Sequence, residues 1–154
     1  MSNCPPENAA ELRARALRLL ARREHSRLEL TRKLAPHAGS DAVLRQVLED
    51  LVARRQLSDE RYAEGRARWL ARKYGAAKIR HDLKSKGVDP ELVERISSGD
   101  DLERAAGILR RKFRSPATTR EERARRMRFL LGRGFSHEVI RSALGAGAGA
   151  DAQD

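Results

Sequence analysis

Apolar residues in this chain recur at three- and four-residue intervals, and no stretch shows the strict alternation of a half-buried strand. Leu12, Ala16, Leu19 and Leu20 share one helical face, and Leu17 widens it. The spacing predicts an amphipathic helix from about Glu7 to Glu24. Ser26 and Glu29 have the spacing of a capping box, in which the hydroxyl accepts a first-turn N–H and the carboxylate reaches back. A shorter helix therefore starts there, buries Leu30 and Leu34, and stops near Pro36 and Gly39. Ser40 or Asp41 caps a third helix with a seam of Val43, Leu44, Val47, Leu48 and Leu51.

The pattern then restarts. Ser58 caps a helix whose first turn carries Asp59 and Glu60, charges suited to the positive end of the helix dipole. Its inner face is Ala63, Ala67, Leu70 and Tyr74, and Gly75 ends it. A short helix from about Ala76 to Lys86 buries Ile79 and Leu83 and stops at Gly87. In "DPELVERI", Asp89 caps the next helix and Pro90 takes the first helical position, where no N–H is needed.

Aligned on themselves, these segments repeat. Leu30 falls on Ile79 and Leu34 on Leu83 at an offset of 49 residues, and "RREH" (22–25) lies near "RKYG" (72–75). A third unit opens with "DDLERAAGILRRKF", where "RKF" echoes "RKY". After the polar insertion "RSPATTREE", Gly134 falls on Gly87 and Phe135 on Val88 at an offset of 47. Each unit is too small to bury a core alone, so neighbours must supply the missing contacts. The expected fold is all-α: three tandem three-helix repeats forming an elongated curved array. The expected boundaries are a flexible leader over 1–10, repeats over 11–56, 57–99 and 100–144, and a disordered tail over 145–154.

Charge adds a direction to this picture. The chain of 154 residues has a formal net charge of +11 and a pI of about 10.9. Arg61 to Lys86 holds nine Lys/Arg against two acids, and residues 104–133 hold eleven against two. Between them, residues 87–103 hold six acids against one arginine. Two such basic fields would repel each other in one body unless an anion offset them, which favours a polyanionic partner. A single cysteine, Cys4, offers neither a disulfide nor a thiol metal site and fits a reducing cytosol. A basic segment leading into an apolar run and a stretch of about 18 apolar residues are both missing, so a cytoplasmic, non-membrane protein is expected.

Catalytic and metal motifs are not found. His25, His37, His81 and His137 are dispersed, and the glycine-dense tail lies outside any strand–loop–helix context, so no cofactor and no metal are expected. His81 beside Asp82 points about 100° away from it on a helix, which reads as solvated side chains and not as an acid/base pair. What remains is basic surface with aromatics in it. Tyr62, Arg66, Trp69 and Lys73 form a stripe that can stack bases and hold phosphates, or whose rings can close the edge of a small core. The candidate contact residues are these four with Arg68, Arg72, Lys78, Arg80, Lys84 and Lys86. The third unit adds Arg110, Arg111, Lys112, Arg125, Arg126 and Arg128.

Three segments carry a family resemblance: "RALRLLARREHSRLELTRKL" (15–34), "LSDERYAEGRARWLARKYGAAKIRHDLKSKGV" (57–88) and "RFLLGRGFSHEVI" (128–140). In combination they resemble the signature segments of the RecX family, bacterial regulators of the RecA recombinase, over about Glu11 to Leu144. The "RKFR" of the third unit departs from the glycine that many relatives have after the aromatic. The resemblance implies a non-enzymatic, monomeric protein that lodges in the groove of the RecA filament on single-stranded DNA. It implies suppression of ATPase, strand-exchange and co-protease activities, hence a part in homologous recombination, DNA repair and the SOS response. A stand-alone DNA-binding protein of helix-turn-helix type, on single- or double-stranded DNA, is the alternative. Basic residues spread over several helices suit backbone contact better than base readout by one recognition helix.

Overall fold

A computed structural model describes residues 5–148. Its described residues form nine α-helices: α1 Ala9–Arg22, α2 Arg27–Leu34, α3 Asp41–Ala53, α4 Asp59–Leu70, α5 Ala76–Ser85, α6 Pro90–Ser97, α7 Asp101–Lys112, α8 Arg120–Gly132 and α9 His137–Ala148. A 3₁₀ turn, Ala35–His37, follows α2. The β-type pairing among the described residues is one isolated bridge, Glu7 with Ala38. Cys4 lies outside the described residues. Helix α9 runs past Leu144 to Ala148, into the segment expected to be disordered, and the rest of that segment is not described.

Side-chain caps set the helix starts. Asn8, Ser26, Ser40, Asp100 and Thr119 each accept the N–H three residues on, from Glu11, Glu29, Val43, Glu103 and Glu122. Ser58 and Ser136 do the same for Arg61 and Val139. Each such bond satisfies one of the N–H groups that a first turn leaves without a partner. Glycines with positive φ follow α5 and α8, Gly87 at 78° and Gly134 at 90°, and each is followed by a buried apolar residue, Val88 and Phe135; α8, at 13 residues, is not the short middle helix that the repeat pattern predicts. The internal alignment paired these same positions.

The chain divides into two compact units. One comprises residues 1–65 and 84–89, the other residues 66–83 and 90–154. The first has a core of Leu12, Ala16, Leu30, Leu34, Leu44, Val47, Leu48, Leu51 and Leu57. In the second, Ala105, Ile108, Leu130, Phe135, Ile140 and Ala143 form a core, and Ala67, Leu70, Ile79, Leu83 and Val93 are also buried.

Within each unit the same repeat-to-repeat clasp appears. In the first, the Asp59 carboxylate, at the start of α4, accepts the N–H of Arg27, the first residue of α2, at 2.7 Å. In the second, the Asp101 carboxylate, at the start of α7, accepts the N–H of Ala76, the first residue of α5, at 3.0 and 3.2 Å. Asp59 thus caps the preceding repeat's middle helix, a role its place in α4 does not announce. A glycine completes both clasps. A Cβ on Gly87 would meet Leu28 of α2 at 2.7 Å, and one on Gly134 would meet the backbone nitrogen of Lys78 in α5 at 2.9 Å.

Candidate partner-binding surface

The basic residues collect where the second unit's helices end. Tyr74 follows α4, Lys78 lies on α5, Lys112 ends α7, Phe113 follows it, Arg126 and Phe129 lie on α8, and Arg133 follows α8. Cations and rings alternate through space. Lys78 Nζ is 5.1 Å from the Tyr74 ring centroid, and the Arg133 guanidinium lies 5.5 Å from Tyr74 and 5.0 Å from Phe129. Lys112 Nζ is 4.1 Å from Phe129, and the Arg126 guanidinium is 4.4 Å from Phe113. Phe113 and Phe129 meet edge to face at 6.0 Å. Ring faces attract cations by about 0.5–1 kcal/mol at exposed sites, so the rings gather positive charge without neutralising it.

A second cluster surrounds Trp69, whose side chain is 59% exposed with the Arg66 guanidinium 5.0 Å from its ring. Arg66 is not an uncommitted cation. It holds Asp82 through two charge-assisted bonds, Nε to Oδ1 at 2.9 Å and Nη2 to Oδ2 at 3.0 Å. The same bonds give Asp82 a partner other than the adjacent His81.

Beside this cluster, α4 and α7 line a concavity of about 480 Å³ with Arg68, Ala71 and Arg72 on one side and Asp100, Glu103, Arg104, Gly107, Arg110 and Arg111 on the other. Arg104 pairs with Asp101 at 2.9 Å and Arg110 with Glu103 at 3.2 Å. Arg111 donates to the Arg72 carbonyl oxygen at 2.9 Å and forms no ion pair among the described residues.

The stripe expected on α4 is broken at its first member. Tyr62 is only 6% exposed and lies in the first unit, where its hydroxyl bonds Glu29. The core reading of this ring holds, and it is withdrawn from the contact surface. Burial works against ionisation of Glu29, yet the hydrogen bonds from Arg23 and Tyr62, with the charges of Arg23 and Lys86, outweigh it and hold the carboxyl below its usual range. The Lys86 charge therefore acts on an acid of its own chain. Arg80 lies 3.1 Å from Glu94. Lys73, Lys84, Arg125 and Arg128 are exposed on the surface. Periodicity alone did not reveal Arg104, Arg133 or the three rings Tyr74, Phe113 and Phe129. The echo of "RKY" in "RKF" was the available signal, since both rings carry cations.

His25 is 2% exposed in the turn between α1 and α2, with Nδ1 3.0 Å from the Arg23 carbonyl oxygen and Nε2 3.0 Å from Lys33 Nζ. A lysine donates only, so Nε2 accepts and Nδ1–H donates, the neutral tautomer. Burial pushes its pKa below the ordinary histidine value, and the nearby Arg23 and Lys33 charges add to this against the Arg23 carbonyl and Glu29. Among the described residues no three His, Cys, Asp or Glu side chains are grouped to hold a metal, and no helix is long and apolar enough to cross a membrane.

Comparison with known proteins follows the helix triads. Residues 13–51, 58–95 and 99–144 match, in order, the family models for the first, second and third three-helix domains of RecX. A regulatory protein RecX from Leptothrix cholodnii is 46% identical over 136 residues, covering 86% of this chain and 87% of that protein. One from Herbaspirillum seropedicae is 43% identical over 141 residues, covering 90% and 92%. Among solved structures, RecX from Lactobacillus salivarius superposes with a TM-score of 0.80 over 91% of this chain and 96% of that one, at 20% identity, a likeness of fold.

Proposed function

The chain belongs to the RecX family, and from that premise we propose that it regulates RecA by binding in the groove of the RecA filament on single-stranded DNA. There it lowers recombinase, ATPase and co-protease activity. It acts by occupancy and performs no chemistry: a regulator shifts a filament by its differential affinity for one filament state over another. The observation that carries this reading is the match of all three RecX three-helix domains, in order, along one chain. The alternating cations and rings of the second unit are suited to the task, because Lys78, Lys112, Arg126 and Arg133 form no ion pair among the described residues and present positive charge to an anionic partner. Action in the cytoplasm as a monomer belongs to the same proposal.

The test is a titration of the purified chain against RecA alone, single-stranded DNA alone and the assembled nucleoprotein filament, with RecA ATPase as the functional readout. The expected result is tightest binding to the filament and a dose-dependent fall in ATPase. Binding to DNA alone with RecA ATPase untouched would overturn the proposal in favour of a stand-alone DNA-binding protein.

A further inference from the structure

The concavity between α4 and α7 differs in kind from the surface of alternating cations and rings. Asp100, the cap of α7, and Glu103, Arg104, Gly107, Arg110 and Arg111 on it follow helical spacing, so they form one face. That face is polarised: its carboxylates lie at the start of the helix and Arg110 and Arg111 near its end. Small residues, Ala71 and Gly107, lie in the lining where longer side chains would hold a ligand's main chain away. Arg68 and Arg72 add charge from the facing helix and the turn after it, and neither forms an ion pair among the described residues.

We propose that this groove binds an acidic peptide segment of the protein partner. This rests on the reading of the chain as a regulator that engages a protein, and it names the chemistry of one contact. Guanidinium forks match carboxylates with two parallel bonds, and the chain already makes such a pair between Arg66 and Asp82. The Arg110–Glu103 pair is 68% and 69% exposed, so an incoming carboxylate can displace Glu103 at little cost. The acidic end of the groove discriminates between polyanions. A phosphodiester strand laid along α7 is charged throughout and meets Asp100 and Glu103 as repulsion. A peptide offers carboxylates to Arg68, Arg72 and Arg111 and backbone N–H donors to Asp100 and Glu103.

The experiment uses the full chain and two labelled probes, a peptide of glutamates followed by neutral glycine and serine, and an oligothymidylate. Arg68→Glu and Arg72→Glu are read separately, each with circular dichroism, and Arg68→Lys and Arg72→Lys serve as conservative variants. The expected result is a rise of roughly tenfold or more in Kd for the peptide with each reversal, as for the loss of a charge-assisted contact, and a smaller change for the oligonucleotide. The lysine variants keep part of the affinity because they retain charge without the fork. Peptide affinity unchanged by both reversals, no peptide binding by the parent chain, or a larger loss for oligothymidylate would each overturn the proposal, and the last would assign the groove to nucleic acid. RecA ATPase measured alongside separates the two readings. Peptide binding with no effect on RecA supports the groove and defeats the regulator, and inhibition of RecA without peptide binding defeats the groove alone.

Discussion

Trp69 and Tyr62 show what helical spacing leaves open. Both lie on α4 among basic residues, yet one ring is 59% exposed and the other 6%. Tyr62 is buried and bonds Glu29 of the preceding repeat, whereas Trp69 stays open to solvent, a difference of three dimensions that no single-helix pattern contains. Trp69→Ala should therefore leave unfolding stability within about 0.5 kcal/mol of the parent, as surface substitutions do. Binding to the RecA filament should weaken. A large drop in melting temperature would place the ring in the core after all. His25 makes the opposite case, a polar residue whose burial the sequence does not announce. Its folded-state pKa is depressed, so the unfolded chain binds its proton more readily. Its contribution is complete above the unfolded histidine pKa of about 6.5 and declines as pH falls below it. Urea unfolding at a series of pH values should show that decline, and His25→Gln should flatten it by removing the titrating ring.

The helices and their order were legible because apolar spacing, serine caps and glycine stops agree with one another, as at Ser26, Ser40 and Gly87, whereas α4 ends at Leu70 and not at Gly75 as expected. The clasps between repeats were not, since Asp59 and Asp101 read locally as acids at the start of their own helices. Asp59→Ala and Asp101→Ala should each cost about 1 kcal/mol, the usual worth of a capping bond. The double variant should lose close to the sum, because the two clasps share no partner. Denaturant midpoints of the three proteins check this, and strong non-additivity would mean that the clasps are coupled. The glycines divide in the same way. Gly134→Ala must place a Cβ 2.9 Å from the Lys78 backbone nitrogen at φ 90°, and should destabilise by about 1–3 kcal/mol. Gly65, exposed in α4 with nothing within 4 Å of its Cβ position, should give a gain of about 0.5–1 kcal/mol on the same substitution.

Repeats and compact units do not coincide in this molecule. The division between units falls inside α4 and inside α5, so repeat 2 contributes to both. Gly75 is required because a Cβ there would lie 2.6 Å from the Gly134 carbonyl oxygen of the following repeat. Arg114, which follows Phe113 as Gly75 follows Tyr74, is exposed. The amides that open α5 draw their partners from repeat 3: Gly75 N–H donates to Arg133 O at 2.8 Å, Ala76 N–H to Asp101, and Ala77 N–H to Gly134 O at 3.3 Å. Removing residues 99–154 takes all three acceptors away together with Phe135. The corresponding amide of α2, at Arg27, keeps its acceptor Asp59. Hydrogen exchange on the shortened chain should therefore show fast exchange at Gly75, Ala76 and Ala77 and retained protection at Arg27, because local opening follows the loss of buried acceptors. Protection of the α5 amides equal to that in the full chain would mean that repeat 2 closes its own middle helix, and the stacking of each repeat on its successor would no longer explain the clasp.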